Sequence, residues 1–154
     1  GPVVKALVVL ANLLVLWGIA VIATRAVRKL RYGGISIRYG RFPFFLGEQL
    51  DVRVATAKPL PAGVPFTARL RFLKEAITTQ GGNMVVNYFQ DYGEERTVTP
   101  DSTGELVIRF ALPEGEHLTD LSRDNRRFWE LNLQAKVEGA DFDETFLLPI
   151  YRRP

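Results

Sequence analysis

The amino-acid sequence predicts an all-β fold, an antiparallel β-sandwich, preceded by one transmembrane α-helix. Three observations predict it. Residues 6–23 are apolar apart from Asn12 and Gly18, and four basic residues follow within the seven positions 25–31. The rest of the chain breaks into short segments of period-two alternation, bounded by clusters of Gly, Pro and Asp, with no amphipathic helix among them.

Gly1-Pro2 reads as the remnant of a cleaved tag and is set apart. The 22 residues from Val3 to Thr24 form the predicted transmembrane helix. At 1.5 Å per residue they span about 33 Å, against a hydrocarbon core of about 30 Å. A buried soluble helix is seldom this long and apolar on every face. A secretory signal has a shorter apolar region and a small-x-small cleavage site, whereas this run passes straight into Arg25.

Residues 25–34 read as a basic juxtamembrane collar and hinge, closing on Tyr32-Gly33-Gly34. Arg25, Arg28, Lys29 and Arg31 are the expected headgroup contacts, each contributing about 1 kcal/mol near an anionic leaflet. Lys5 alone precedes the span, so the excess of positive charge puts the C-terminal side in the cytoplasm, on a single-pass protein of the cytoplasmic (inner) membrane. Tyr32, just past the collar, reads as an interfacial anchor. Asn12 falls near mid-span, where its amide either bonds to a second helix or is a tolerated polar residue.

Residues 35–154 form the predicted sandwich. The expected strands are Ile35–Tyr39, Leu50–Ala55, Phe66–Leu73, Met84–Gln90, Arg96–Thr99, Glu105–Ala111, Phe128–Glu138 and Thr145–Tyr151. They are separated by turn chemistry such as Gln80-Gly81-Gly82-Asn83, Asp101-Ser102-Thr103-Gly104 and Glu138-Gly139-Ala140-Asp141. Alternation names the core: Phe66, Ala68, Leu70 and Phe72 on one strand, Leu106, Ile108 and Phe110 on a second, and Trp129, Leu131, Leu133, Ala135 and Val137 on a third.

Charge and composition exclude several functions. Five of the 20 basic residues flank the helix, leaving 15 against 17 acidic residues in the sandwich, so no basic face for nucleic acid is expected. Without cysteine there is no disulfide framework and no thiolate site. His117, the only histidine, reads as an exposed loop residue; Asp120 and Ser122 nearby spell a triad, but triad members come from separate parts of a fold. Gly81-Gly82 and Gly33-Gly34 lack the spacing of a phosphate loop. Asp141, Asp143 and Glu144 are the one weak candidate for a cation site, read otherwise as a solvated turn. Asp124-Asn125 reads as a capped turn feeding the strand that follows, and Arg123, Arg126 and Arg127 beside it as a possible contact for an acidic partner or the membrane surface. No cofactor and no enzymatic activity are expected.

The stretch Phe128-Trp129-Glu-Leu131-Asn-Leu133-Gln-Ala135, followed by Gly139-Ala-Asp141-Phe142, Phe146 and Pro149-Ile150-Tyr151, resembles the C-terminal end of bacterial membrane proteins of unknown function. In these a transmembrane helix and basic collar precede a sandwich, and Leu46-Gly47 with Leu50, and Phe110-Ala-Leu112-Pro113, fit the same pattern. The resemblance implies a sandwich similar in outline to arrestin-like and immunoglobulin-like folds, with further membrane segments often lying upstream; it implies no activity.

The expected function is therefore that of a membrane-anchored, non-catalytic interaction or scaffold domain at the inner face of the membrane. Its expected partners are the lipid bilayer and a protein, with Met84–Phe89 as the pairing surface if that strand is an exposed edge. The alternative is an extracytoplasmic domain that binds a ligand or a cell-envelope component.

Overall fold

The computed structural model covers residues 1–154, all of which are described except Arg123, Ala140 and the side chains of Arg28, Lys29 and Arg31. It consists of an N-terminal apolar helix and an antiparallel β-sandwich. Helix α1 runs from Pro2 to Tyr32, and its Pro2–Val27 segment is long and apolar enough to cross a membrane, with a mean hydropathy of 2.6. The helix outlasts the expected Thr24 because the collar residues are themselves good helix formers.

Two sheets face each other. One holds β1 (Ile35–Tyr39), β3 (Gln49–Thr56) and β6 (Leu106–Ala111) in the order β1-β3-β6. The other holds β4 (Phe66–Gln80), β5 (Asn83–Val98), β7 (Arg127–Ala135) and β8 (Phe142–Leu148) in the order β5-β4-β7-β8. A two-stranded parallel pair, β2 (Phe44–Phe45) with β9 (Ile150–Tyr151), ties the ends together. The core lies between the sheets. Leu50, Val52, Val54, Leu106, Ile108 and Phe110 on one side meet Phe66, Leu70, Phe72, Trp129, Leu131 and Leu133 on the other, and all are essentially without exposure. Every inward residue expected from the alternation is buried there.

Several strand boundaries differ from the sequence reading, and the two largest differences have a plain physical reason. The segments Met84–Gln90 and Arg96–Thr99 belong to one strand, β5, because β4 continues past Leu73 to Gln80 and supplies a partner all along. The apparent break at Asp91 is a β-bulge: Phe72 pairs with Tyr92 but Leu73 with Gln90, which leaves Asp91 extra. The last expected strand divides at Pro149, which lacks the N–H needed to continue the ladder, so that Ile150 and Tyr151 pair with β2 instead. The outer face of β7 also hides polar groups: Glu130 forms an ion pair with Arg71, and the Asn132 amide donates to Asp143 Oδ1 and Thr145 Oγ1, both at 3.0 Å.

The junction with α1, read from the sequence as a hinge, is packed against the sandwich. Tyr32 is only 2% exposed, packed edge-on to Phe142 at 5.2 Å, which in turn meets Phe66 at 5.2 Å. It serves as a plug for the end of the sandwich rather than as an interfacial anchor. Gly33 ends the helix at φ +66, and a Cβ there would come within 2.5 Å of the Ala57 Cβ. Lys58 Nζ donates to the Leu30 carbonyl at 2.6 Å, Lys58 N to the Tyr32 carbonyl at 3.4 Å, and Ala57 N to the Gly34 carbonyl at 2.9 Å. Helix-end carbonyls that would otherwise lack partners are thus supplied by the sandwich.

Two substitutions test this architecture. Leu131→Ala empties a fully buried site and is expected to cost about 2–5 kcal/mol, read as a lower urea midpoint at unchanged slope. Gly33→Ala places a side chain both at positive φ and against Ala57, and is expected to cost about 1–3 kcal/mol, read by thermal unfolding of the full chain in detergent.

Candidate functional site

The end of the sandwich opposite α1 carries two features that the core does not require. The first is an arm. The pairing of β7 with β4 ends at Lys74 and Arg127, yet β4 and β5 continue as a hairpin closed by Gly81 and Gly82 at φ +59 and +85, the geometry of a two-residue primed turn. The six residues Glu75–Gln80 and their partners extend about 20 Å beyond the other strands, at about 3.3 Å per residue.

Strand β5 is the outer strand of its sheet, so one side of its backbone has no ladder partner. Gln80 and Asn83 close the turn as a bonded pair, so Met84, Val86 and Tyr88 direct their N–H and C=O groups to the free edge. Side chains on the same strand are uncovered: Met84 is 78% exposed, Phe89 59% and Tyr88 57%, with Tyr88 edge-on to the rim aromatic Phe128 at 6.2 Å. No charged residue occurs from Ala76 to Gln90. Natural edges are usually guarded by lysine, proline or inward charge, and beyond Glu75 at its base this arm has none of these. Farther along, β5 is covered: Arg96 Nη1 donates to the Arg109 carbonyl at 3.1 Å and its guanidinium lies 5.1 Å from the centre of the Phe110 ring, bridging to the other sheet.

The second feature is a cleft of about 860 Å³ at the mouth between the sheets. The Glu114–Leu118 loop forms one wall, and Lys74, Asp91 and Arg127 the other, with Arg152 and Arg153 closing it. The bulge aims Asp91 into this space, where Lys74 Nζ lies 2.9 Å away and His117 Nε2 3.5 Å. The hydrogen bond from Lys74, helped by the positive fields of Lys74, His117 and Arg127, holds the Asp91 carboxyl below its usual range despite partial desolvation.

His117 is not the exposed loop histidine expected. Its ring packs against Phe72, Tyr92 and Trp129 at 5.1, 5.6 and 6.0 Å, and the Trp129 indole N–H donates to its backbone carbonyl at 2.9 Å. Long-range packing of the loop onto β4, β5 and β7 puts it there, which local sequence does not report. Asp120 instead accepts from the Ser122 N–H at 2.9 Å and bridges to Arg127, so the spelled triad is not assembled.

The other expected site residues are dispersed. Asp143 accepts from the amides of Asn132 and Gln134, and among the described residues no three acidic or histidine side chains converge to hold a metal ion, Asp141 and Glu144 included. Asn125 adopts φ +56 in the turn before β7. Arg126 accepts at its carbonyl from Glu75 N, Arg127 enters the cleft, and Arg123 lies outside the described residues. Asn12 Nδ2 donates to the Val8 carbonyl at 2.9 Å, one turn back on its own helix. Arg25 is exposed, and the other collar side chains lie outside the described set. Lys74, Asp91, Arg152 and Arg153 carry no motif that would have singled them out.

Because the Asp91 pKa is depressed, its ionised form contributes stability above the ordinary carboxylate value of about 3.9, lost as pH falls through the lower folded value. Trp fluorescence of the Trp17→Phe chain, in which Trp129 is the remaining indole, is therefore expected to show an acid transition below about pH 4, with Asp91→Asn removing part of it.

No protein-family model and no curated protein matches the sequence. Among solved structures, the chain is similar to Spo0M, the sporulation control protein from Bacillus subtilis, with a TM-score of 0.46 and 13% identity. The match covers 77% of this chain and 49% of that one, so the chain spans about half of Spo0M's length.

Proposed function

We propose that the protein is a membrane-anchored, non-catalytic docking domain that takes an extended segment of a protein partner onto the free edge of β5. The observation that carries this reading is the arm: an outer strand, uncharged from Ala76 to Gln90, standing clear of the sandwich with its backbone groups and apolar side chains open. Strand addition draws affinity from main-chain hydrogen bonds and specificity from alternate side chains. Helix α1 supplies the anchor, and the collar, richer in positive charge than the single Lys5 before the span, supports a cytoplasmic sandwich at the inner face. The cleft favours the second reading, an extracytoplasmic ligand-binding domain, and sidedness separates the two.

Two experiments test the proposal. A photoreactive residue at Met84 is expected to give discrete protein adducts in cells. Val86→Pro, which removes only an outward N–H, is expected to reduce them at least tenfold with the fold intact; adducts unchanged by this substitution would reject edge docking. Single cysteines at Thr79 and Ser102, in a chain with none of its own, are expected to resist an impermeant thiol reagent until the membrane is breached. Labelling of intact cells would reverse the orientation and favour an envelope ligand.

A further inference from the structure

We propose that the cleft at the mouth of the sandwich binds a ligand through a single carboxylate, with Arg127 and Arg152 as its anchors. The inference stands independently of edge docking. The volume of about 860 Å³ falls in the range of small-molecule and peptide-terminus sites, about 300–1,000 Å³. What distinguishes it from an ordinary charged surface is how its charges are already committed.

Lys74 is held by Asp91 at 2.9 Å, and Arg153 is paired with Glu48. Arg127 and Arg152 have no carboxylate within ion-pair distance among the described residues, although both line the cleft. With Lys74 and Arg153 taken up by ion pairs, the lining leaves Arg127 and Arg152 opposite Glu114 and Glu116. A phosphate or a polyanion would be repelled by Glu114 and Glu116 more strongly than a single carboxylate. The planar guanidinium fork matches a carboxylate bidentately, and Arg127, whose field reaches Asp91 and Asp120 without a direct ion pair, and Arg152 both keep that fork open.

The floor is also preorganised. His117 is wedged among three aromatic rings and fixed through Trp129, and its Nδ1 is buried without a hydrogen-bond partner among the described residues. Asp91 is aimed by the bulge and occupied by Lys74, so the ligand meets a wall whose own carboxylate is already satisfied. A peptide C-terminus and a small organic acid both supply such a carboxylate.

The test uses the full Trp17→Phe chain in phosphatidylcholine nanodiscs, with Trp129 fluorescence as the readout. The probes are acetyl-Val-Thr-Val with a free C-terminus, the same peptide as its amide, and butyrate. Saturable binding of the free acid, at least tenfold weaker for the amide and at least tenfold weaker in the Arg127→Gln/Arg152→Gln chain, is expected. Glu114→Gln/Glu116→Gln is expected to tighten it. Binding of the peptide acid alone assigns a chain terminus, and comparable binding of butyrate assigns a small acid. Equal binding of acid and amide, no saturable binding of either acid, or unchanged affinity in the arginine double variant with an unaltered melting temperature would overturn the proposal.

Discussion

Burial of one face of each sheet against the other is the constraint on which the remaining features depend. Trp129, Leu131, Leu70 and Phe72 pack across the sandwich from Leu50, Val52, Ile108 and Phe110, and a slip of one residue in any of these strands would turn its apolar set to solvent. The register of β4 is thereby settled from Phe66 to Phe72. Whatever disagrees with that register has to be absorbed outside the core, and the bulge at Asp91 lies immediately past the last core pair, Phe72 with Tyr92. A device for reconciling strand lengths thus places a carboxylate at the mouth of the sandwich.

The same packing explains why the arm is conspicuous. Inside the sandwich, the outward positions of β4 and β5 are charged and paired, as with Arg69 and Glu95 at 2.6 Å. Beyond Glu75 the charges stop, β7 stops, and only the two strands continue. Two-stranded hairpins contribute little stability of their own in water. An extension that exposes Met84, Val86 and Tyr88 while adding nothing to the core is therefore not explained by the stability of the sandwich.

At the other end, the helix and the sandwich share a residue. Tyr32 belongs to α1 by backbone and to the core by side chain, and Lys58 returns two hydrogen bonds to the last turn of the helix. Only about 7.5 Å of helix separates Val27 from Tyr32, at 1.5 Å per residue. The apolar helix is consequently continuous with the folded domain, and the arm and cleft face away from it.

The apolar helix, the sandwich and most of its core were legible in the sequence because each depends on local periodicity: an unbroken apolar run for α1, alternation for β3, β4, β6 and β7, and Gly or Pro at the turns. Turn chemistry likewise marked the Gly81-Gly82 hairpin and the Asn125 turn. The Met84–Phe89 segment could be named as a possible pairing surface, but only sheet order made it an edge, since neighbours in a sheet are chosen by packing between distant segments. The burial of Tyr32, the packing of His117 against three aromatic rings, and the gathering of Lys74, Asp91, Arg127 and Arg152 around one cleft were decided by tertiary structure alone. These contacts join residues far apart in the chain, and no periodicity within a strand or spacing within a loop encodes which side chains will meet when two sheets close.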